Sequence, residues 1–93
     1  MTLNELKYIV AVARERHFGR AAEACFISQP TLSVAVKKLE EELGVSLVER
    51  RTGEVGVTAI GEQIVSQAHR VLEEAGAIKA SAEQGQDQLA APL

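Results

Sequence analysis

Residues 28–44 read SQPTLSVAVKKLEEELG, and this stretch decides the fold. Ser28 is a good helix cap, and Pro30 falls in the first turn, where a missing backbone N–H costs nothing. Apolar residues then recur at spacings of four, three and four and so share one narrow face. They are Leu32, Val36, Leu39 and Leu43. Because Gly44 supplies a left-handed stop, the pattern predicts a helix over Gln29–Leu43.

Two shorter helices are predicted before this stretch. Thr2 and Glu5 form a capping box, so the first helix begins at Leu3, and its apolar stripe ends near Arg16. Residues 20–25, RAAEAC, are too few to stand alone and are rich in small side chains that permit close helix crossing. That segment is typical of the first helix of a helix-turn-helix, with residues 29–43 as the second.

A hairpin and a long helix are predicted to follow. Two short, partly β-branched runs, 45–50 and 55–57, flank residues 51–54, RTGE, and indicate a hairpin with glycine in its turn. Thr58 then caps a helix of near-heptad apolar spacing from Ala59 to Gly85, about 40 Å long. Its stripe consists of Ile60, Ile64, Ala68, Val71, Ala75, Ile78 and Ala82. A 93-residue chain cannot cover this stripe alone, so we expect a homodimer.

The fold class that results is mainly α. Residues 1–58 are predicted to form a winged helix-turn-helix, with three helices and a two-stranded β-hairpin wing. Residues 59–85 form a long dimerising linker helix. Residues 86–93 lack an apolar face and resemble a linker that leads to something larger.

The composition narrows the class of protein. No apolar run approaches the length of a membrane span and no signal segment precedes the first helix, so we expect a cytoplasmic protein without membrane contact. Cys25 is a single cysteine, and with only His17 and His69 beside it the spacing matches no zinc pattern. We therefore expect neither a metal nor a cofactor.

The charge distribution bears on nucleic-acid binding. A net charge of −3 argues against it when taken whole, because lysine and arginine must neutralise phosphates. Residues 1–51 nevertheless carry eight basic and seven acidic side chains, whereas residues 52–93 carry two basic and six acidic ones. Because the acidic residues lie mostly in the second half, the local arrangement of basic residues decides whether the chain can bind nucleic acid.

The face of the predicted third helix opposite its leucines is suited to DNA. Ser33 and Lys37 can reach base edges there, while Pro30 and Val34 can touch thymine methyl groups. The other candidates for DNA contact in this helix are Ser28 and Thr31 for phosphates, Gln29 for adenine, and Lys38. An ordinary solvated helix face is the alternative, but the cap, the short preceding helix and the following hairpin favour the groove-facing interpretation.

Three arginines are further candidates for DNA contact. Arg50 and Arg51 flank the wing turn, from which an arginine can reach phosphates or a narrow minor groove. Arg20, at the start of the predicted second helix, could hold a phosphate. The alternative for Arg20 is an exposed salt bridge to Glu15 or Glu23.

No residues point to catalysis. Small cysteines among apolar neighbours are usually inert, so we interpret Cys25 as a core residue. His17 and His69 lack neighbours arranged for chemistry. Residues 40–42, EEE, are interpreted as the solvated end of a helix, because nothing nearby supplies a nucleophile. We expect no enzyme activity.

Several motifs, taken in their order along the chain, resemble those of the LysR-type transcriptional regulators. They are residues 18–23 (FGRAAE), 28–33 (SQPTLS), 39–40 (LE), 43–44 (LG), 49–50 (ER) and 57–61 (VTAIG). Residues 16–20, 28–33 and 37–44 look most like the peroxide-sensing, OxyR-like branch. The resemblance covers nearly all of residues 1–90.

The resemblance implies a DNA-binding domain that reads a pseudo-palindromic operator and a linker helix that pairs antiparallel in a dimer. It also implies a tetramer in the full-length protein, built through an effector domain, with RNA polymerase as a further candidate partner. By position, DNA contacts fall on Ser28, Gln29, Pro30, Thr31, Ser33, Val34, Lys37, Lys38, Arg50 and Arg51. In the peroxide-sensing branch, the reactive cysteine pair lies beyond residue 93, so the resemblance does not make Cys25 a sensor.

Two other function classes stay open at this stage. Net acidity is compatible with a protein-interaction module that has a vestigial helix-turn-helix. The second is redox chemistry at Cys25, which has the weakest support of the three hypotheses: DNA binding, protein interaction and redox chemistry.

Overall fold

Over residues 1–90, the computed structural model has four helices and one hairpin. The elements are α1 (Leu3–Glu15), α2 (Phe18–Ala24), α3 (Gln29–Leu43), β1 (Val48–Arg51), β2 (Glu54–Val57) and α4 (Ala59–Ala90). The structure describes the backbone of residues 1–90 and the side chains of residues 1–87. The described chain measures 62 × 24 × 18 Å. A helix of 32 residues is about 48 Å long, so α4 accounts for the elongated shape.

The predicted helix at the centre of the fold is confirmed with its bounds. The Ser28 hydroxyl accepts a hydrogen bond from the Thr31 backbone N–H at 3.3 Å, and Gly44 ends α3 with φ of 72°. The leucine-rich face is buried at Leu32, Val36 and Leu39. Local capping and apolar periodicity were enough to specify this element.

The first two helices differ from expectation at one boundary. The capping box at Thr2 and Glu5 is present, and α1 ends at Glu15 with Arg16 in the left-handed conformation. However, α2 begins at Phe18, two residues earlier than predicted. The reason is that His17 Nδ1 accepts a hydrogen bond from the Arg20 N–H at 3.0 Å. Histidine is outside the usual set of cap residues, so the sequence showed no start there.

The hairpin is confirmed as a pair of antiparallel strands, with Val48 opposite Val57 and Arg51 opposite Glu54. Its turn is therefore Thr52-Gly53, where Gly53 has φ of 73°. The prediction that the first strand begins at residue 45 was wrong. Leu47 is instead fully buried in the core, and the strand starts only after it.

The linker helix begins as predicted and ends later. Thr58 caps α4 because its hydroxyl accepts a hydrogen bond from the Gly61 N–H at 2.9 Å. The helix continues to Ala90, so assigning residues 86–90 to a tail was wrong. Gly85 is not among the glycines with positive φ, and it therefore provides no left-handed stop. Residues 91–93, including Pro92, lie outside the described part.

The core lies where α1, α2 and α3 meet the wing and α4. Leu47, Val55 and Ala68 join the helical residues there, so the wing and the linker helix both close the domain. The α4 helix packs mainly along α1. None of the helices over residues 1–90 is long and apolar enough to cross a membrane.

Candidate nucleic-acid interface

The outward face of α3 is well exposed. Val34 is 66% exposed although it is apolar, and Lys37 and Lys38 are exposed beside it. Ser33 is half-buried. Within residues 1–87, neither lysine forms a salt bridge. The face therefore offers an apolar surface and two unneutralised cations together.

The start of α3 is polar and open to solvent. The hydroxyls of Ser28 and Thr31 hydrogen-bond to each other at 2.8 Å, and Gln29 and Pro30 are exposed between them. Gln29 Oε1 lies near Gly19, so its amide sits between α3 and the start of α2. The start of α3 therefore presents hydroxyl and amide groups to solvent beside the start of α2.

The two wing arginines have different surroundings. The Arg50 guanidinium lies 4.6 Å from the centroid of the Phe18 ring, whereas Arg51 forms an ion pair with Glu49 at 3.0 Å. Arg50 and Arg51 line a groove of about 220 Å³ between α2 and the wing, together with Gln29. Arg50 also lines a second groove with Lys37 of α3. The fold therefore brings Gln29, Lys37 and Arg50 to one continuous surface.

Arg20 is engaged with α1. Its Nη2 donates to the carbonyl oxygen of Glu15 at 3.1 Å, and its Nε lies 4.0 Å from the Glu15 carboxylate. Of the two carboxylates considered as salt-bridge partners, Glu15 is the one it meets. Phosphate contact by Arg20 stays a prediction.

Glu40 corrects the interpretation of residues 40–42 as solvated. Its carboxylate is half-buried and accepts hydrogen bonds from the backbone N–H groups of Leu47 at 2.7 Å and Val48 at 3.3 Å. Glu41 is exposed, and Glu42 pairs with the N-terminal amine at 2.6 Å. Glu40 thus fixes the approach of β1 to α3, which periodicity along a single helix could not indicate.

The C-terminal end of α1 holds the wing from the other side. The Arg16 carbonyl accepts a hydrogen bond from the Val55 N–H at 3.1 Å. The Arg16 side chain forms an ion pair with Glu62 of α4 at 3.1 Å. The wing strand β2 is therefore tied to the helical body by its backbone, which limits how far Arg50 and Arg51 can move relative to α3.

The apolar stripe of α4 predicted for dimerisation is partly buried against its own chain and partly exposed in the structure. Ala68 is only 3% exposed and lies in the core of its own chain, which takes it out of the predicted dimer surface. Ile64 and Ala75 are half-buried, whereas Ile60, Val71 and Ile78 are exposed. A groove of about 370 Å³ runs beside Ile64 and Val71, with Leu6 of α1 and Leu43 of α3 in its walls. This groove extends the exposed stripe onto the helix-turn-helix.

Cys25 lies at the edge of the core and is half-buried. Burial raises the pKa of the Cys25 thiol above its ordinary value, and the nearby cations Arg14 and Lys7 oppose the shift only in part. A thiol with a raised pKa is a poor nucleophile near neutral pH. Across residues 1–87, His, Cys, Asp and Glu side chains form no cluster that could hold a metal ion.

Residues 3–62 match the family described as bacterial regulatory helix-turn-helix proteins of the lysR family. Over all 93 residues, the chain is 46% identical to the DNA-binding transcriptional dual regulator OxyR of Escherichia coli K12. The chain spans 30% of the length of that relative.

Two solved structures are similar to the whole fold. One is a full-length OxyR variant from Pseudomonas aeruginosa, with a TM-score of 0.91 and 61% identity, of which the chain covers 32% while matching over its own full length. The other is the complex of the CbnR DNA-binding domain with DNA, with a TM-score of 0.87 and 34% identity. That match covers 92% of this chain and 99% of the CbnR domain.

Proposed function

The chain belongs to the LysR family of bacterial regulatory helix-turn-helix proteins, and we propose that it binds double-stranded DNA sequence-specifically as a homodimer. The observation that carries the proposal is the surface shared by α3 and the wing, where Lys37 and Arg50 line one groove. The CbnR domain, similar over 92% of this chain, is described in complex with DNA. This likeness supports the same use of the surface here.

In this proposal, α3 enters the major groove and reads bases. Ser33 and Lys37 contact base edges, and the exposed Val34 contacts thymine methyl groups with Pro30. Gln29 approaches adenine. Ser28 and Thr31 contact DNA phosphates at the start of α3, and Lys38 contacts phosphates further along the helix. Arg20 also contacts a phosphate, once its side chain leaves Glu15.

The wing is proposed to bind beside the recognition helix. Arg50 and Arg51 contact phosphates or enter the minor groove next to the site that α3 reads. Because the Arg16 carbonyl holds β2, these contacts occur at a fixed distance from α3. One copy of the domain carries few cations, so it binds weakly by itself.

Dimerisation supplies the remaining affinity. We propose that the exposed residues of α4, namely Ile60, Val71 and Ile78 with half-buried Ile64 and Ala75, pack against a second copy. Two linked recognition helices gain from effective concentration. The DNA site should therefore be a pseudo-palindrome whose half-sites lie about 34 Å apart or a multiple of that distance.

We further propose that the chain acts in a cytoplasmic, hydrogen-peroxide-responsive regulator without catalytic activity. Several relatives 46% identical over all 93 residues are described as hydrogen peroxide-inducible genes activators. The chain spans 30% of their length, so we assign peroxide sensing, tetramer assembly and any contact with RNA polymerase to the wider protein. The raised pKa of Cys25 supports a sensor located elsewhere.

Selection of bound duplexes from random DNA tests the function directly. We expect a motif with dyad symmetry, whose spacing reports the distance between the recognition helices. Anisotropy titrations then compare the selected duplex with a scrambled one. Lys37→Ala should weaken binding to the selected duplex more than to the scrambled one, whereas Arg50→Ala should weaken both and lower the salt dependence.

Lys79→Ala provides the matched control, because Lys79 is an exposed lysine of α4 that lines neither of the two grooves beside α3 and the wing. It should leave both affinities unchanged. Absence of binding to either duplex at low salt would contradict the proposal and favour a protein-interaction module with a vestigial helix-turn-helix.

A further inference from the structure

Phe18 holds a wing arginine through its ring. The side chain is only 6% exposed, so most of the ring is packed in the core. The Arg50 guanidinium lies above the ring, 4.6 Å from its centroid. The face of an aromatic ring carries negative electrostatic potential and attracts a cation at this distance. A residue at the start of α2 therefore fixes a side chain of β1.

The charge of Arg50 is left unneutralised by this contact. Four other arginines have a carboxylate within 4.0 Å: Arg14, Arg16, Arg20 and Arg51. Arg50 has no salt bridge to any side chain among residues 1–87. An ion pair would compete with a phosphate for the guanidinium, whereas stacking on a ring leaves the N–H donors at the edge of the guanidinium free.

The position of Arg50 is also favourable. Its side chain lines both the groove between α2 and the wing and the groove that contains Lys37. A guanidinium held there lies between the helix-turn-helix and the wing. Without the ring, an exposed arginine would lose more conformational entropy on binding.

We propose that Phe18 is a positioning residue of the DNA interface, whose ring holds the Arg50 guanidinium, uncompensated by any carboxylate, in place for a backbone phosphate beside the recognition helix. This inference rests on the proposed function, since it requires that the wing contacts DNA. It assigns a second role to an aromatic residue that otherwise serves the core.

A double-mutant cycle tests the inference. Phe18→Met keeps an apolar side chain of similar volume in the core and removes the ring. It should weaken binding to the selected duplex about two- to five-fold, the equivalent of an exposed cation–π contact. In an Arg50→Ala background, the same substitution should cause no further loss. Thermal melting of each variant without DNA confirms that the proteins compared are folded.

Each outcome has a defined meaning. If Arg50→Ala binds like the parent, the wing contact and this inference are both wrong, while the role of Lys37 in base reading is tested separately. If Phe18→Met weakens binding equally in both backgrounds, Phe18 acts only through the fold and the inference alone is overturned.

A spectroscopic measurement on the parent covers the case in which Phe18→Met does not fold. The Arg50 side-chain protons should show an upfield ring-current shift that those of Arg51 lack, and this shift should persist in the DNA complex. Its loss on DNA binding would overturn the inference. Phe18→Tyr, which keeps the ring, should preserve the shift and the parental affinity.

Discussion

The carboxylate of Glu40, in the last turn of α3, accepts a hydrogen bond from the Leu47 backbone N–H at 2.7 Å. The same oxygen accepts a second, longer bond from Val48 at 3.3 Å. Leu47 is fully buried and immediately precedes β1, so this pair sets the position of the wing relative to the recognition helix. The sequence predicts that the Glu40 side chain is solvated, but in the structure it links α3 to the start of β1.

Replacing Glu40 should destabilise the domain. Glu40→Ala leaves the Leu47 and Val48 N–H groups without their acceptor, and we expect a loss of about 2 kcal/mol in the free energy of unfolding. Glu41→Ala is the matched control, because Glu41 is exposed, and it should change stability by less than about 0.5 kcal/mol. Urea denaturation measures both. Equal effects of the two substitutions would contradict the structural role of Glu40.

Two glycines of α4 should respond oppositely to alanine. A Cβ on Gly61 would collide with the Leu47 carbonyl oxygen, which is backbone and cannot turn away, so Gly61→Ala should cost about 1–3 kcal/mol. A Cβ on Gly76 meets nothing within 4 Å, and Gly76→Ala should stabilise the helix by about 0.5–1 kcal/mol. Thermal melting checks both signs. Stabilisation by Gly61→Ala would mean that α4 does not approach Leu47 as closely as described.

Dimerisation should depend on Val71. This side chain is 45% exposed beside the apolar groove, and Val71→Glu places a charge where a second copy should pack. We expect monomers in sedimentation velocity at micromolar concentration and weaker binding to the selected duplex. Ser66→Glu, on the opposite side of α4, should leave the dimer intact. A monomeric parent, or a dimeric Val71→Glu variant, would refute the proposed interface.

The Cys25 thiol should react slowly. Because burial raises its pKa, the thiolate fraction at pH 8 is smaller than in the unfolded chain, and alkylation by iodoacetamide should be slower in the folded protein. As the pH rises through the folded pKa, the difference in rate should narrow. A rate ratio that stays constant with pH would instead indicate restricted access. Cys25→Ser should keep the fold and DNA binding, and loss of DNA binding by a variant that is still folded would revive a chemical role for this residue.

Much of the fold follows from short-range patterns. The bounds of α3, the capping box of α1 and the start of α4 agree with prediction because each depends on residues within a few positions of one another. Errors arose where a boundary depends on less common chemistry. His17 caps α2 with a ring nitrogen. Gly85 was predicted to end α4, but it lies inside the helix, and its φ is not positive as it is in a glycine that ends a helix.

Less of the candidate interface than of the fold could be predicted from the sequence. The outward face of α3 could be derived, since the helical period separates Val34 and Lys37 from the leucine face. The stacking of Arg50 on Phe18 could not, because the two residues lie 32 positions apart on different elements. The ion pair of Arg16 with Glu62 likewise joins residues far apart in the sequence, whereas Arg14 and Arg51 pair with carboxylates at most two positions away.

By itself, the sequence determined which segments are helical, which face of each is apolar, and that α3 presents a polar surface with lysines. These features depend on local capping and on the angular spacing of side chains, both of which are set along the chain. The tertiary structure alone decided what each face meets. It places Ala68 in the core of its own chain, Glu40 on the backbone before β1 and Arg50 on Phe18. Periodicity defines the members of a face, but only the packing of elements distant in sequence selects the partner of that face.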